Sequence, residues 1–216
     1  MKIKGAIFDL DGTLLDSMFI WDTIGGNYLQ SRGITPMENL NETFKNMSLK
    51  EAAQYYRKNY GLTEDVKTIV DGVNQMIGHY YYEQVLPKEG IKEFLDILVK
   101  EGVKMCVATA TDLHLADAAL KRTGLRDYFC SIITCTGVGS GKDKPKIFET
   151  ALLELGSPKE NTVVFEDALY AVQTAKEAGF TVVGVYDSSE ADNEETIKKR
   201  VDIFIRSFHE MRNYID

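Results

Sequence analysis

Ala6-Ile7-Phe8-Asp9-Leu10-Asp11-Gly12-Thr13-Leu14-Leu15-Asp16-Ser17 is the stretch whose reading decides the fold. Residues 5–8 are a short apolar run with the length and composition of a buried strand. Two carboxylates two residues apart interrupt it, and a glycine and a threonine follow at once. In an extended segment residues i and i+2 point to the same side, so Asp9 and Asp11 are expected to converge where the chain turns through Gly12. Carboxylates held that close repel, and burying both without compensation is costly. A divalent cation is the usual remedy, and hard oxygen ligands suit Mg²⁺. Taken alone, Asp-x-Asp-Gly is explained as well by a turn after an edge strand.

The surrounding chain is that of an ordinary globular protein. It has 216 residues, 44% hydrophobic and 27% charged, a length that suits one large domain or a domain carrying a smaller insertion. A net charge of −8 argues against nucleic acid or an anionic membrane as the main partner. The three cysteines, Cys106, Cys130 and Cys135, lack metal-ligand spacing and are expected to be reduced, mostly buried thiols. No signal peptide is recognised before the first strand, and no apolar run reaches ~18 residues. The expectation is a cytoplasmic monomer or weak homodimer.

Residues 17–85 read as helical throughout. Asp16 or Ser17 can cap a helix with Met18, Trp21, Ile24 and Tyr28 on one side. Ser48 and Glu51 have capping-box spacing for a second helix, and Thr63 can cap a third whose stripe includes Ile69, Val73 and Ile77. Such a run, placed after the first strand, reads as an inserted all-α domain; residues 1–16 and 86–216 form the remainder. From Gly90 onward short apolar runs alternate with helices. Strands are expected at 103–108, 131–134, 162–165, 181–185 and, more exposed, 201–205. Helices are expected at 91–102, 112–123, 145–155 and 168–178. The acidic run 188–195 reads as a solvated loop leading into a helix. The fold class is α/β: a Rossmann-like parallel sheet covered by helices on both faces. Ligands bind such sheets beyond the carboxyl ends of the strands.

Those ends carry the chemistry. The strand at 103–108 leads into Thr109-Ala110-Thr111, where a hydroxyl and backbone N–H groups at a helix start can hold a phosphate oxygen, although Thr109 serves equally as a cap. The next leads into a glycine-bearing loop with Lys142 and Lys144; flexible lysines there usually face solvent. The strand at 162–165 ends in Glu166-Asp167, a second acidic pair after an apolar strand. Helix capping explains one acid better than two.

Asp9-Leu10-Asp11-Gly12-Thr13-Leu14, with Thr109, the lysine loop and Glu166-Asp167 in order at successive strand ends, resembles the haloacid dehalogenase-like hydrolase superfamily. Within it the chain is similar to the β-phosphoglucomutase-like branch with a helical cap. The resemblance implies a Mg²⁺-dependent phosphatase acting on a small phosphorylated metabolite through an aspartyl-phosphate. It makes Asp9 the nucleophile, Asp11 the general acid and base, and Thr109 the phosphate-gripping hydroxyl. Lys142, five residues before Ile147, becomes the neutralising lysine, with Lys144 its competitor. Asp9, the Asp11 carbonyl, Asp167 and Glu166 become the metal site. Gly12, Thr13 and Ala110 join the phosphate-binding candidates. In the cap Trp21, Asn46, Met47 and Ser48 are candidates to face substrate, and each is explained as well by cap packing or helix capping.

The nearest rival is a phosphomutase. The resemblance places a cap histidine where this chain has Trp21, and an arginine clamp where it has Ser48-Leu49-Lys50; both departures favour hydrolysis. A phosphonate hydrolase and a dehalogenase fit the residues less well. From another class, a phosphorylation-controlled binding module also uses acids, a threonine and a lysine around Mg²⁺, but its accepting Asp lies on a later strand and no helical insertion follows its first strand. A non-catalytic metabolite-binding scaffold is a third alternative, against which every catalytic position is filled.

Overall fold

The computed structural model describes residues 2–44, 47 and 49–214. In chain order it runs β1 (Gly5–Phe8), β2 (Leu15–Asp16), α1 (Phe19–Ser31), α2 (Leu40–Phe44), α3 (Leu49–Tyr60) and α4 (Val66–Glu83). Then come β3 (Leu86–Pro87), α5 (Ile91–Lys100), β4 (Lys104–Thr109), α6 (Leu113–Arg122), β5 (Ser131–Thr134) and α7 (Cys135–Val138). The chain continues through α8 (Lys146–Leu155), β6 (Thr162–Glu166), α9 (Leu169–Glu177), β7 (Thr181–Val185), α10 (Glu194–Arg200) and β8 (Ile203–Ile205). It divides into two compact units, Met1–Ser17 with Val85–Asp216, and Met18–Gln84.

In the first unit six parallel strands pair in the order β5-β4-β1-β6-β7-β8. This is the α/β sheet that the alternation of strands and helices requires. The sheet is buried on both faces, and its two faces are chemically different. Ile7, Cys106, Val164 and Val182 pack with Ile147 and Phe148 of α8 and Val172 of α9. On the opposite side Phe8 stacks on Phe165 at 4.4 Å, and Phe94 of α5 and Phe208 close over the pair. Alternation along β1 produces this division, since Ile7 and Phe8 point oppositely. Each buried aromatic ring contributes about 1.5–3 kcal/mol by area, and the stacked pair adds about 0.5–1.5 kcal/mol. The stack holds Phe8 opposite Phe165 in the β1–β6 register, so the residues that follow each strand emerge side by side. From β1 the sheet grows through β4 to β5; from β6 it grows the other way through β7 to β8. The crevice between the ends of β1 and β6 is therefore the point where the topology reverses, where such sheets bind ligands.

The second unit is all helical. Ile20, Ile24, Tyr28 and Leu29 form the buried side of α1, and Ile69, Val73 and Ile77 that of α4. Tyr56 of α3 packs edge-on against Phe44 and gives its hydroxyl proton to the Gly25 carbonyl at 3.0 Å. The structure revises several local expectations. On α1 the expected Ile24 and Tyr28 are buried, but Ile20 and Leu29 complete the buried side and Trp21 is exposed. Met18, without a side-chain bond, occupies its N-cap, because the Ser17 hydroxyl is engaged elsewhere. Asp65 rather than Thr63 caps α4, accepting from the Thr68 N–H at 2.7 Å. The Ser48–Glu51 capping box lies outside the described residues. In the first unit, residues 188–193 form a 3₁₀ segment instead of an open loop, and Cys130 is exposed. Among the described residues no helix is long and apolar enough to cross a membrane.

The two chain crossings between the units lie together in β2 and β3, which pair antiparallel with Leu15 opposite Pro87 and Asp16 opposite Leu86. Two-residue strands carry no sequence signal of their own. Just beyond β3, Lys88 donates its backbone N–H to the Leu14 carbonyl at 2.9 Å and reaches Asp187 with its ammonium at 2.5 Å. Burial pushes the Asp187 carboxyl up, but the Lys88 ammonium and the N–H and hydroxyl of Ser189 outweigh it and hold it below the usual carboxylate range. A carboxyl depressed in the folded state contributes stability that is full above its unfolded value and is lost as pH falls through the folded one. Unfolding free energy followed down from neutral pH should therefore drop below about pH 4. In Lys88→Met that drop should be shallower, from a lower plateau; identical acid limbs would exclude Lys88 as the cause.

Candidate active site

The site is built where β1 and β6 end. β1 delivers Asp9, whose N–H still donates to the Phe165 carbonyl at 3.0 Å, so the acid is fixed to the neighbouring strand by the main chain. β6 delivers Glu166 as its last residue and Asp167 just after it. Oxygen atoms of Asp9, Glu166 and Asp167 lie within 4.8 Å of one another, and all three residues are buried. Lys142, from the loop between α7 and α8, inserts its ammonium among them. It donates to Asp9 and, at 2.6 Å, to Glu166 Oε1. Lys142 is only 4% exposed, whereas Lys144 is exposed.

Each acid has its own supports. Glu166 Oε2 accepts the N–H groups of Asp167 at 3.0 Å and Ala168 at 3.2 Å, just ahead of α9. Asp167 Oδ1 accepts the Thr13 hydroxyl at 3.0 Å. Gly12 passes beside that carboxylate with φ +81°, and a Cβ built on it would lie 2.3 Å from Asp167 Oδ2. Glycine is required here twice over, for its backbone conformation and for the close approach.

The charges do not balance. The Asp9 carboxyl is pushed up to about 7, by burial first and then by Glu166 and Asp11, against the opposing pull of Lys142. Asp167 is likewise raised well above the usual range, by burial first and then by Glu166 and Asp9. Burial disfavours the Lys142 ammonium too, yet Asp9 and Glu166 outweigh it and raise its pKa. One ammonium thus offsets three carboxylates, and two of those are penalised for being charged. A hard divalent cation is the charge that such an all-oxygen donor set fits.

The remaining expected residues are distributed differently. Asp11 does not join the carboxylate group; its Oδ1 accepts the Ser17 hydroxyl at 2.7 Å and its Oδ2 the Thr111 hydroxyl at 2.6 Å. Thr13, expected to meet phosphate, is buried and turned to Asp167. Thr109 is buried at the end of β4, where its Oγ1 accepts the Thr111 N–H at 3.0 Å, and Ala110 beside it is exposed. Trp21 lies on the first turn of α1, 43% exposed. Asn46 and Ser48 lie outside the described residues, and Met47 is half-buried. Sequence alone did not single out Thr111, the Asp11 contact of Ser17, or two neighbours of the charge cluster. Those neighbours are Cys135, whose thiol burial raises, and Tyr170, whose phenol burial and Glu166 push up to about 12. The signal for Thr111 was present: it lies two residues beyond Thr109, the spacing that joins Asp9 and Asp11.

The family described as haloacid dehalogenase-like hydrolase matches residues 6–185. A phosphorylated carbohydrates phosphatase of Thermotoga maritima is 26% identical over 187 residues, 86% of this chain and 87% of that one. Among solved structures, a Thermotoga maritima chain provisionally assigned as a β-phosphoglucomutase superposes with a TM-score of 0.86 at 24% identity, covering 98% of each chain. CbbY from Rhodobacter sphaeroides in complex with phosphate gives 0.78 at 22% identity, covering 97% of this chain and 96% of that one.

Removing the ammonium should expose the charge imbalance directly. Lys142→Met leaves buried carboxylates without their partner and should lower the unfolding free energy by about 3–5 kcal/mol, measured by denaturant titration at constant slope. A loss within the scatter typical of surface substitutions would mean that the acids are satisfied without Lys142.

Proposed function

The chain belongs to the haloacid dehalogenase-like hydrolases, and we propose that it is a phosphatase hydrolysing a small phosphorylated metabolite through an aspartyl-phosphate intermediate. The observation that carries this reading is the buried group Asp9, Glu166, Asp167 and Lys142 at the reversal point of the sheet. The similarity to a phosphorylated carbohydrates phosphatase makes sugar phosphates the first class of ester to try.

In this reading residues 1–17 with 85–216 are the catalytic core and residues 18–84 a cap that governs access to it. Asp9, Asp167 and Glu166, with the Asp11 carbonyl, would hold Mg²⁺. Bound there, the ion supplies positive charge that offsets the repulsion between a carboxylate and a phosphate dianion. The chain's own residues carry the steps. An Asp9 oxygen attacks phosphorus, the bond from phosphorus to the ester oxygen breaks, and Asp11 gives its proton to the departing alcohol. Water then attacks the phosphorus of the acyl-phosphate and passes a proton to Asp11, releasing inorganic phosphate and restoring both aspartates. Lys142 and Thr109 bind the equatorial oxygens on which negative charge grows. Burial of the cluster strengthens each of these interactions by lowering the local dielectric.

Phosphate release from a panel of sugar phosphates, nucleotides and small phospho-acids tests the reading. Mg²⁺-dependent release from at least one ester is expected, falling roughly a thousandfold or more in Asp9→Asn with the fold unchanged. Substantial turnover by Asp9→Asn would remove Asp9 as nucleophile. Interconversion of hexose phosphates without phosphate release would make the chain a mutase. The metal assignment has its own readout. Millimolar Mg²⁺ should raise the melting temperature of the wild type by binding the folded state alone. Asp167→Asn should need about tenfold more Mg²⁺ or lose the effect; an undiminished shift would move the metal elsewhere.

A further inference from the structure

Thr111 makes two hydrogen bonds with different partners. Its hydroxyl donates to Asp11 Oδ2 at 2.6 Å, and its backbone N–H donates to Thr109 Oγ1 at 3.0 Å. The first partner follows β1 and the second ends β4, strands that are neighbours in the sheet. One residue therefore ties the carboxylate read here as the acid and base to the hydroxyl read here as the phosphate grip. We propose that Thr111 is a positioning residue for phosphoryl transfer, acting on Asp11 through its side chain and on Thr109 through its main chain. The inference rests on the phosphatase reading.

The physical case lies in what each bond fixes. A threonine hydroxyl has a single proton. With that of Thr111 given to Asp11 Oδ2 and that of Ser17 to Oδ1, the carboxylate plane of Asp11 is set from two sides. A carboxyl that must reach a leaving oxygen gains from having its torsion fixed beforehand, because a misplacement of about 1 Å costs on the order of a hundredfold in rate. At Thr109 the logic concerns direction. An oxygen that already accepts an N–H directs its own proton away from that bond, so the Thr109 hydroxyl is disposed to donate. Thr111 is half-buried two residues beyond β4, a strand whose residues Met105–Thr109 are buried, which gives both bonds a rigid base.

Valine separates the two functions. Thr111→Val keeps the shape and the N–H to Thr109 but removes the proton given to Asp11; Thr111→Ser keeps both. The readout is kcat/KM, with Mg²⁺, on two esters. One is an alkyl phosphate, whose leaving oxygen needs a proton; the other is p-nitrophenyl phosphate, whose leaving group departs without one. For Thr111→Val the alkyl ester should lose about tenfold or more, part of what general acid catalysis supplies, while the aryl ester stays within about threefold. Thr111→Ser should restore the alkyl ester. Retained turnover of the aryl ester is also the check that the variant folds. Equal losses on both esters, or no loss on either, would overturn the inference and leave the phosphatase reading standing. A wild type that hydrolyses neither ester, nor any in the panel, would overturn the phosphatase reading itself.

Discussion

Burying like charges is among the least favourable things a fold can do, and this one does it at Asp9, Glu166 and Asp167. Water would screen the three acids at low cost; at the end of β6 they have Lys142, two backbone N–H groups and the Thr13 hydroxyl instead. Desolvation still outweighs that help at Asp9 and Asp167, whose carboxyls are pushed well above their ordinary range. A group of acids held in this way is placed to hold a metal ion. The glycine at position 12 follows from the same constraint, since a side chain there would occupy the space of the Asp167 carboxylate.

Such a cluster survives only on a base that does not yield. The Phe8–Phe165 stack beneath it, covered by Phe94 and Phe208, is apolar and fully buried. Its register, not the acids' own attraction, sets Asp9 beside Glu166. The opposite face, packed by α8 and α9, leaves the sheet no route to relax away from the charges. Stability lost to electrostatics is offset by packing a few ångströms below.

Much of this was legible in the sequence, for identifiable reasons. Parallel strands buried on both faces read as continuous apolar runs, so 131–134 and 181–185 were visible with their bounds, and the α/β class followed from their alternation with helices. The acids were conspicuous because carboxylates after an apolar strand have few explanations. What the sequence did not reveal depends on partners distant along the chain. Ser17 reads as a helix cap until its hydroxyl is seen to donate to Asp11, and Thr13 as a phosphate-binding candidate until its hydroxyl is seen to donate to Asp167. The choice between Thr63 and Asp65 as a cap turns on two residues of helix start, which local propensity does not resolve. The β2–β3 pair exists only because two crossings of the chain meet.

That meeting also orders events during synthesis. β1 leaves the ribosome before either of its neighbours exists, since Gly5 pairs with Lys104 and Thr162. The whole of Met18–Gln84 is made in the interval and has its own apolar core, so it can fold while the first strand waits. Contacts this remote in sequence favour slow formation of the sheet, because the insertion lies between β1 and both of its partners. The apolar strand β1 thus stays unpaired until the residues beyond the insertion have been made. The antiparallel β2–β3 pair brings the start and the end of that insertion together, and a loop closed there leaves a shorter stretch of chain to be searched for the pairing of β1 with β4.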